Sequence, residues 1–216
     1  MRLFSMHRNS AGWRVRIALA LKSVSYDYVS TTTLGPGEYR SINPQGLMPA
    51  IEMDGRIIAQ SGAILELLEE LHPSPSLFPA DPLDRAEARA FGQLIACDLH
   101  PINNRRVRKY LAGVMHQPDE AISAWVQHWS AVALQSLETM LERRSGTSRF
   151  AFGETPGFAD LHLVPQLYNC RRTGCDLAPY PRLRAIDAAC REVEAFQMAA
   201  PERMPDFTGE EPAWLA

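Results

Sequence analysis

Cysteine is scarce in this sequence, and no two cysteines are spaced as a CxxC pair. The four are Cys97, Cys170, Cys175 and Cys190, and they do not fall with the six histidines into a zinc-ligand pattern. This argues against a disulfide-stapled scaffold and against a structural metal, and predicts buried free thiols in a reducing cytosol. Long hydrophobic runs are missing too. The N-terminal MRLFSMHR is a polar–apolar strand pattern rather than a charged segment leading into an apolar one, so neither a signal peptide nor a membrane span is expected. A formal net charge of −3 offers no basic footprint for nucleic acid. What is present is a 216-residue chain with room for one large domain or two small ones, and with no internal repeat.

The chain changes character near residue 75. Before it, strands are expected over Leu3–Met6 and Tyr26–Ser30, with a helix between them over Ala11–Lys22 that carries Val15, Ile17, Ala18 and Leu21 on its apolar side. Thr31–Ile42 reads as irregular, broken by Gly35, Pro36 and Gly37. Met48–Glu52 and Arg56–Ala59 form a hairpin turned at Asp54-Gly55, and Ser61 is placed to cap a helix ending near Leu71. The β-α-β opening requires a right-handed crossover and the hairpin a mixed sheet, the outline of a thioredoxin-like domain over residues 1–75. His72-Pro73-Ser74-Pro75-Ser76 reads as a linker. An all-helical domain over 83–216 follows, with helices over Leu83–Ala112, Asp119–Arg144, Gly157–Arg172 and, with a break, Pro181–Ala199, and with a surface-following tail from Pro201. The fold class is therefore an α+β thioredoxin-like domain followed by an all-α domain.

Inside the first of those helices lies His100-Pro101-Ile102-Asn103-Asn104-Arg105-Arg106. Pro101 has no N–H to donate, so the helix kinks or restarts there. Helical spacing lets His100, Asn103 and Asn104 share a face, and Arg106 share one with Asn103. Two amides and two guanidiniums beside a kink suit a polar wall for an anionic ligand; a solvated helix face is the plain alternative.

Asn43-Pro44-Gln45-Gly46-Leu47-Met48-Pro49-Ala50 with Gln60-Ser61 resembles the glutathione site of the glutathione transferase superfamily. Trp13-Arg14-Val15-Arg16-Ile17-Ala18-Leu19 resembles the signature helix of its zeta class, and HPINNRR, Phe158-Ala159-Asp160-Leu161, Val164-Pro165-Gln166 and Tyr180-Pro181 resemble the bacterial maleylpyruvate isomerases of that class. The resemblance implies glutathione as cofactor, held by Gln45, Met48, Pro49, Gln60, Ser61, Asp98, His100 and Asn104. Met48 would pair its backbone with the cysteinyl part beside a cis Pro49, and Ser61 would receive the γ-glutamyl carboxylate. A helix N-terminus favours such an anion by roughly 0.3–1 kcal/mol.

The catalytic set that the resemblance implies is Ser10, Asn9 and Arg8. Where the class has Ser-Ser-Cys-x-Trp, this chain has Asn9-Ser10-Ala11-Gly12-Trp13, so Ser10 is the expected hydroxyl donor to the thiol, with Asn9 either a weaker donor or the helix cap. The resemblance places Arg8, Arg106 and one of Arg171 and Arg172 around the substrate; these last two point about a hundred degrees apart on a helix, so only one faces a cleft, and Arg172 is the one expected. Planar guanidinium forks suit a dicarboxylate substrate. Asp160 is expected to stabilise its helix start behind Gly157 and to do no chemistry, and Trp125 and Trp129 to pack in the core.

The activity these features imply is glutathione-dependent cis–trans isomerisation of maleylpyruvate or maleylacetoacetate, by a cytoplasmic homodimer without metal, membrane or nucleic-acid partner. Asp98 would reach the glutathione amine across the dimer. A general transferase conjugating hydrophobic electrophiles, and a glutathione-binding protein with little catalysis, are the alternatives that the Asn9–Ala11 loop leaves open.

Overall fold

The computed structural model describes residues 1–144 and 148–209. The chain divides into two compact units, one made of Met1–Leu77 together with the chain from Cys190 onward, the other of Phe78–Ala189.

In the first unit, β1 (Arg2–Ser5), α1 (Ser10–Leu21), β2 (Asp27–Ser30), α2 (Glu38–Ile42), β3 (Ala50–Met53), β4 (Arg56–Ala59) and α3 (Ser61–Leu71) follow in order. The sheet order is β2-β1-β3-β4, with β1 and β2 parallel and β3 antiparallel to both β1 and β4. The hairpin turns at Asp54 and Gly55, both at positive φ, 50° and 72°. The region expected to be irregular contains the short helix α2, whose Tyr39 hydroxyl donates to the Leu47 carbonyl and so braces the loop before β3. Local Gly and Pro residues hid a five-residue helix that is held by this tertiary contact.

α1 is buried all round from Ser10 to Leu19: α3 and the returning C-terminal segment pack against it, and β1 approaches it closely at Gly12. That segment includes α10 (Glu194–Met198), whose Phe196 is fully buried, and its continuation through Pro201, also buried. From Pro201 to Gly209 the tail follows the surface as expected, with Arg203, Pro205, Thr208 and Gly209 exposed, and it is tied down through Asp206, which accepts from Ser30 Oγ at 2.7 Å and Tyr28 OH at 3.0 Å. The rest of the expected tail lies outside the described residues.

The second unit is helical: α4 (Pro82–Gln93), a π-helical turn over Leu94–Leu99, α5 (His100–Ile102), α6 (Arg105–Gly113), α7 (Asp119–Arg143), α8 (Phe158–Arg172) and most of α9 (Pro181–Arg191). The chain passes helically through Pro101, because the π turn just before it absorbs the missing donor and the ring, and the break expected there falls instead at Asn103 and Asn104. α8 starts as its sequence implies: Asp160 Oδ2 accepts from the N–H of Gly157 at 2.8 Å and Oδ1 from that of Ala151 at 3.0 Å. Burial pushes the Asp160 carboxyl up to about 6 against the opposing pull of those N–H groups. Trp125 and Trp129 meet edge to face at 5.8 Å but are only half-buried, so they form the margin of the core rather than its centre. Cys170 and Cys190 are buried as expected, whereas Cys97 is exposed and Cys175 half-buried.

Candidate active site

The sheet register gathers the candidate residues of the first unit at one end. Phe4 pairs with Ala50, and Ala50 with Ala59. The chain leaves this row through Ser5 toward the 7–10 loop, enters it through Met48 and Pro49, and leaves it again through Gln60 and Ser61. Alternating strand direction thus brings three segments distant in sequence to one edge, and the Met48–Pro49 bond there is cis.

The 7–10 loop ends in a helix cap. Asn9 sits at the N-cap of α1 and its Oδ1 accepts from the Gly12 N–H, so of the two expected roles for Asn9 the cap is the one its geometry fills. Ser10 is then the first residue of the helix, 6% exposed. Gly12 permits the close approach of α1 to β1: a Cβ there would lie 2.0 Å from Ser5 Oγ. Arg8 is exposed beside the loop.

Behind the loop stands Arg16, wholly buried. Its guanidinium donates to the carbonyls of His7 at 2.9 Å, Ala199 at 3.1 Å and Met6 at 3.3 Å. Burial lowers it to about 10, so it stays cationic at neutral pH. Asp206 accepts from the His7 N–H at 3.2 Å. Burial alone would raise this carboxyl, but donation from Ser30, Tyr28 and His7 outweighs that and holds it below the usual carboxylate range. Burial is also the chief reason that His7 is depressed, with Asp206 pulling the other way. The loop is thereby tied from two sides, by a cation on α1 and an anion from the C-terminal segment.

At the other half of the edge, Gln60 rather than Ser61 occupies the N-cap position of α3. It has φ 73° and ψ 117° and makes no side-chain cap bond. A non-glycine residue held there is strained, and such strain tends to sit at functional sites. Its side chain is turned outward, Nε2 donating to Gln45 Oε1 at 2.8 Å, so two expected cofactor residues touch. Ser61 is therefore the first helical residue, a correction to its expected role as cap. Its Oγ instead accepts from Arg14 Nη1 at 3.3 Å, and both residues are buried. A guanidinium cannot accept, so Ser61 keeps its own hydroxyl hydrogen for another partner. A helix N-terminus, a hydroxyl so oriented and a buried cation behind it fit a carboxylate such as the γ-glutamyl end of glutathione.

In the second unit, Asn104 caps α6, its Oδ1 accepting from the Arg106 N–H at 3.0 Å, while its Nδ2 lies 3.4 Å from His100 Nε2. Asn103 turns to α7, donating to the Val126 carbonyl at 3.2 Å and Ser130 Oγ at 3.3 Å; it braces the bundle and does not share the His100–Asn104 side as its spacing suggested. Asp98 and Arg106 are exposed. Arg171 pairs with buried Asp187, whereas Arg172 is exposed, with its guanidinium 5.8 Å from the Tyr168 ring. Of the two adjacent arginines, Arg171 is the structural one.

Sequence reasoning missed Arg14, Arg16 and Asp206. An unbroken helix with two arginines two residues apart looks half-solvated; the available signal was that its remaining residues from Ala11 to Ala20 are almost all apolar, leaving no polar face for those arginines to join.

Residues 3–76 match the family model of the glutathione S-transferase N-terminal domain. With the mixed sheet and the helical unit that follows it, this defines a glutathione S-transferase. Over 211 residues the chain is 42% identical to a maleylpyruvate isomerase of Ralstonia sp, an alignment covering 95% of this chain and 99% of that protein. A solved structure of holo maleylpyruvate isomerase, a bacterial glutathione S-transferase of the zeta class, superposes with a TM-score of 0.92 at 41% identity, covering 96% of this chain and 100% of that one. A maleylacetoacetate isomerase of Anaeromyxobacter dehalogenans, solved with dicarboxyethyl glutathione and citrate in its active site, has a TM-score of 0.84 at 40% identity over 96% of this chain and 97% of that one. The chain belongs to the zeta-class family of maleylpyruvate and maleylacetoacetate isomerases.

Proposed function

We propose that this protein is a glutathione-dependent cis–trans isomerase acting on maleylpyruvate or maleylacetoacetate. The observation that carries this reading is the pairing, at one end of the sheet, of a capped helix start at Asn9-Ser10 with a second helix start at Ser61 backed by the buried Arg14. One offers donors to a sulfur, the other an anion seat for the peptide that carries it.

When bound, glutathione supplies a sulfur nucleophile whose reversible addition to the conjugated double bond frees that bond to rotate. The protein holds the peptide through Ser61, Gln60, Gln45 and the Met48 backbone, with His100 and Asn104 as further contacts. Ser10 donates its hydroxyl toward the sulfur, aided by the N-terminal end of α1; Asn9 has its carbonyl oxygen committed to Gly12 and orders that turn. A free thiol of this kind titrates near 8.5, and holding it about two units lower needs roughly 2.7 kcal/mol of preferential stabilisation. A hydroxyl donor and a helix N-terminus together supply that order of effect. Arg8, Arg106 and Arg172 are the proposed anchors for the substrate carboxylates and for the charge that develops on the adjoining carbonyl oxygen. The same reading makes the enzyme a cytoplasmic homodimer, with Asp98 contacting the glutathione amine across the dimer.

The test is an ultraviolet assay of maleylpyruvate and maleylacetoacetate with and without glutathione, beside a chlorinated aromatic acceptor. Isomerisation that requires glutathione and outpaces conjugation is the expected result. Efficient conjugation without isomerisation would overturn the reading.

A further inference from the structure

The C-terminal end of α8 holds a pair of thiols that isomerisation does not use. The helix closes with a left-handed residue, Gly174 at φ 69°, whose N–H donates to the Arg171 carbonyl at 3.2 Å, while the Cys175 N–H reaches back to the Cys170 carbonyl at 2.9 Å. This double closure brings the side chain after the glycine onto the one five positions earlier. In most helices that contact is between two apolar residues; here it is Cys175 on Cys170.

The two sulfurs differ in surroundings. Cys170 is 1% exposed and accepts from Gln166 Nε2 at 3.5 Å, while Cys175 is half-buried with Thr173 Oγ1 at 3.4 Å. Hydrogen bonding from Cys170 first, with Thr173 and Ser130 assisting against burial, lowers the Cys175 thiol. The same bond and burial push Cys170 up. One sulfur is therefore half-buried and drawn toward the thiolate, and the other is buried and held as the thiol, the asymmetry that an attacking and a resolving cysteine require.

We propose that Cys170 and Cys175 form a redox-active dithiol that reacts with low-molecular-weight disulfides, Cys175 attacking and Cys170 resolving. In the first step the Cys175 sulfur bonds to one sulfur of the disulfide, whose S–S bond breaks, and one thiol leaves with a proton. In the second the Cys170 sulfur gives up its proton and bonds to Cys175, displacing the second thiol. The two cysteines lose two electrons to the disulfide, which becomes two thiols. Glutathione disulfide is the natural reagent of this class for a glutathione-dependent enzyme. The site stands apart from the isomerase reading and does not depend on it.

The test incubates the reduced, full-length protein with glutathione disulfide, quenches with acid, alkylates the remaining thiols and maps them by peptide mass. In the wild type, Cys170 and Cys175 should be found linked, lighter by two hydrogens and protected from alkylation. Cys170→Ser should stop at one glutathionyl group on Cys175, and Cys170→Ala should do the same if the serine variant does not fold. Cys175→Ser should leave Cys170 unmodified. Modification confined to the exposed Cys97, or a wild-type mixed disulfide on Cys175 that never closes, would overturn the proposal.

Discussion

Arg14 donates its guanidinium to Ser61 Oγ from a site where both side chains are buried, tying the signature helix to the start of α3. The contact fixes the direction of the serine hydroxyl and places a positive charge behind the helix N-terminus. Ser61→Ala should therefore weaken glutathione binding by roughly 2- to 13-fold, the effect of one hydrogen bond worth about 0.5–1.5 kcal/mol. Arg14→Met should weaken it further, because it removes the orientation and the charge together. Calorimetric dissociation constants check this, and the order would be reversed if Arg14 were only a packing residue.

Asn9 and Ser10 should separate cleanly. Asn9→Ala removes a helix cap and should cost about 1 kcal/mol of stability. Ser10→Ala should cost less stability but raise the pH at which bound glutathione forms thiolate, and should lower turnover more than binding. Thermal unfolding reads the first effect and the thiolate absorbance titration the second. A titration moved by Asn9→Ala and untouched by Ser10→Ala would reassign the donor.

Arg106→Ala and Arg172→Ala should each lower the specificity constant for maleylpyruvate by roughly 10- to 150-fold, the loss of a charge-assisted contact of about 1.5–3 kcal/mol, with little change in glutathione affinity. Arg→Lys should restore only part of this, because the fork is lost. Arg171→Ala should instead lower the melting temperature, since it removes the ion pair to the buried Asp187. Wild-type isomerisation by both Arg106→Ala and Arg172→Ala would remove the arginines from the substrate site.

Acid should destabilise the first unit in two stages. His7 is depressed in the folded state, so the unfolded chain binds its proton more readily: the stability from a neutral His7 is whole above 6.5 and is lost as pH falls below it. Asp206 is likewise depressed, and its contribution, present above 3.8, is lost as pH falls further through the folded value. Melting temperature against pH should show both declines. Asp206→Asn should lower stability at neutral pH and flatten the second. An unchanged profile would mean that the tail does not hold the loop.

Features set by neighbours in sequence were legible. Asp54-Gly55 turned the hairpin, Pro101 drew a π turn into its helix, and Gly157 with Asp160 opened α8, each by local backbone chemistry. What escaped depended on contacts across the chain. Arg14 and Arg16 look like surface charges until α3 and α10 pack against α1. Asp206 lies in a Pro- and Gly-rich stretch whose composition suggests a loose tail, yet it closes on Tyr28, Ser30 and His7. Cys170 and Cys175 match no redox spacing, because a helix-ending backbone motif rather than a sequence motif joins them. Ser61 was found for the right end of the right helix but in the wrong position, since the strained Gln60 takes the cap.

On the proposed function, glutathione acts here as a cofactor that is returned, and not as a co-substrate that is consumed. Proton NMR of maleylpyruvate with the enzyme and a small fraction of an equivalent of glutathione measures both at once. The expected result is complete conversion to the fumaryl isomer with the glutathione recovered intact. Conversion that stops when the glutathione is exhausted, with a stable thioether as product, would contradict it.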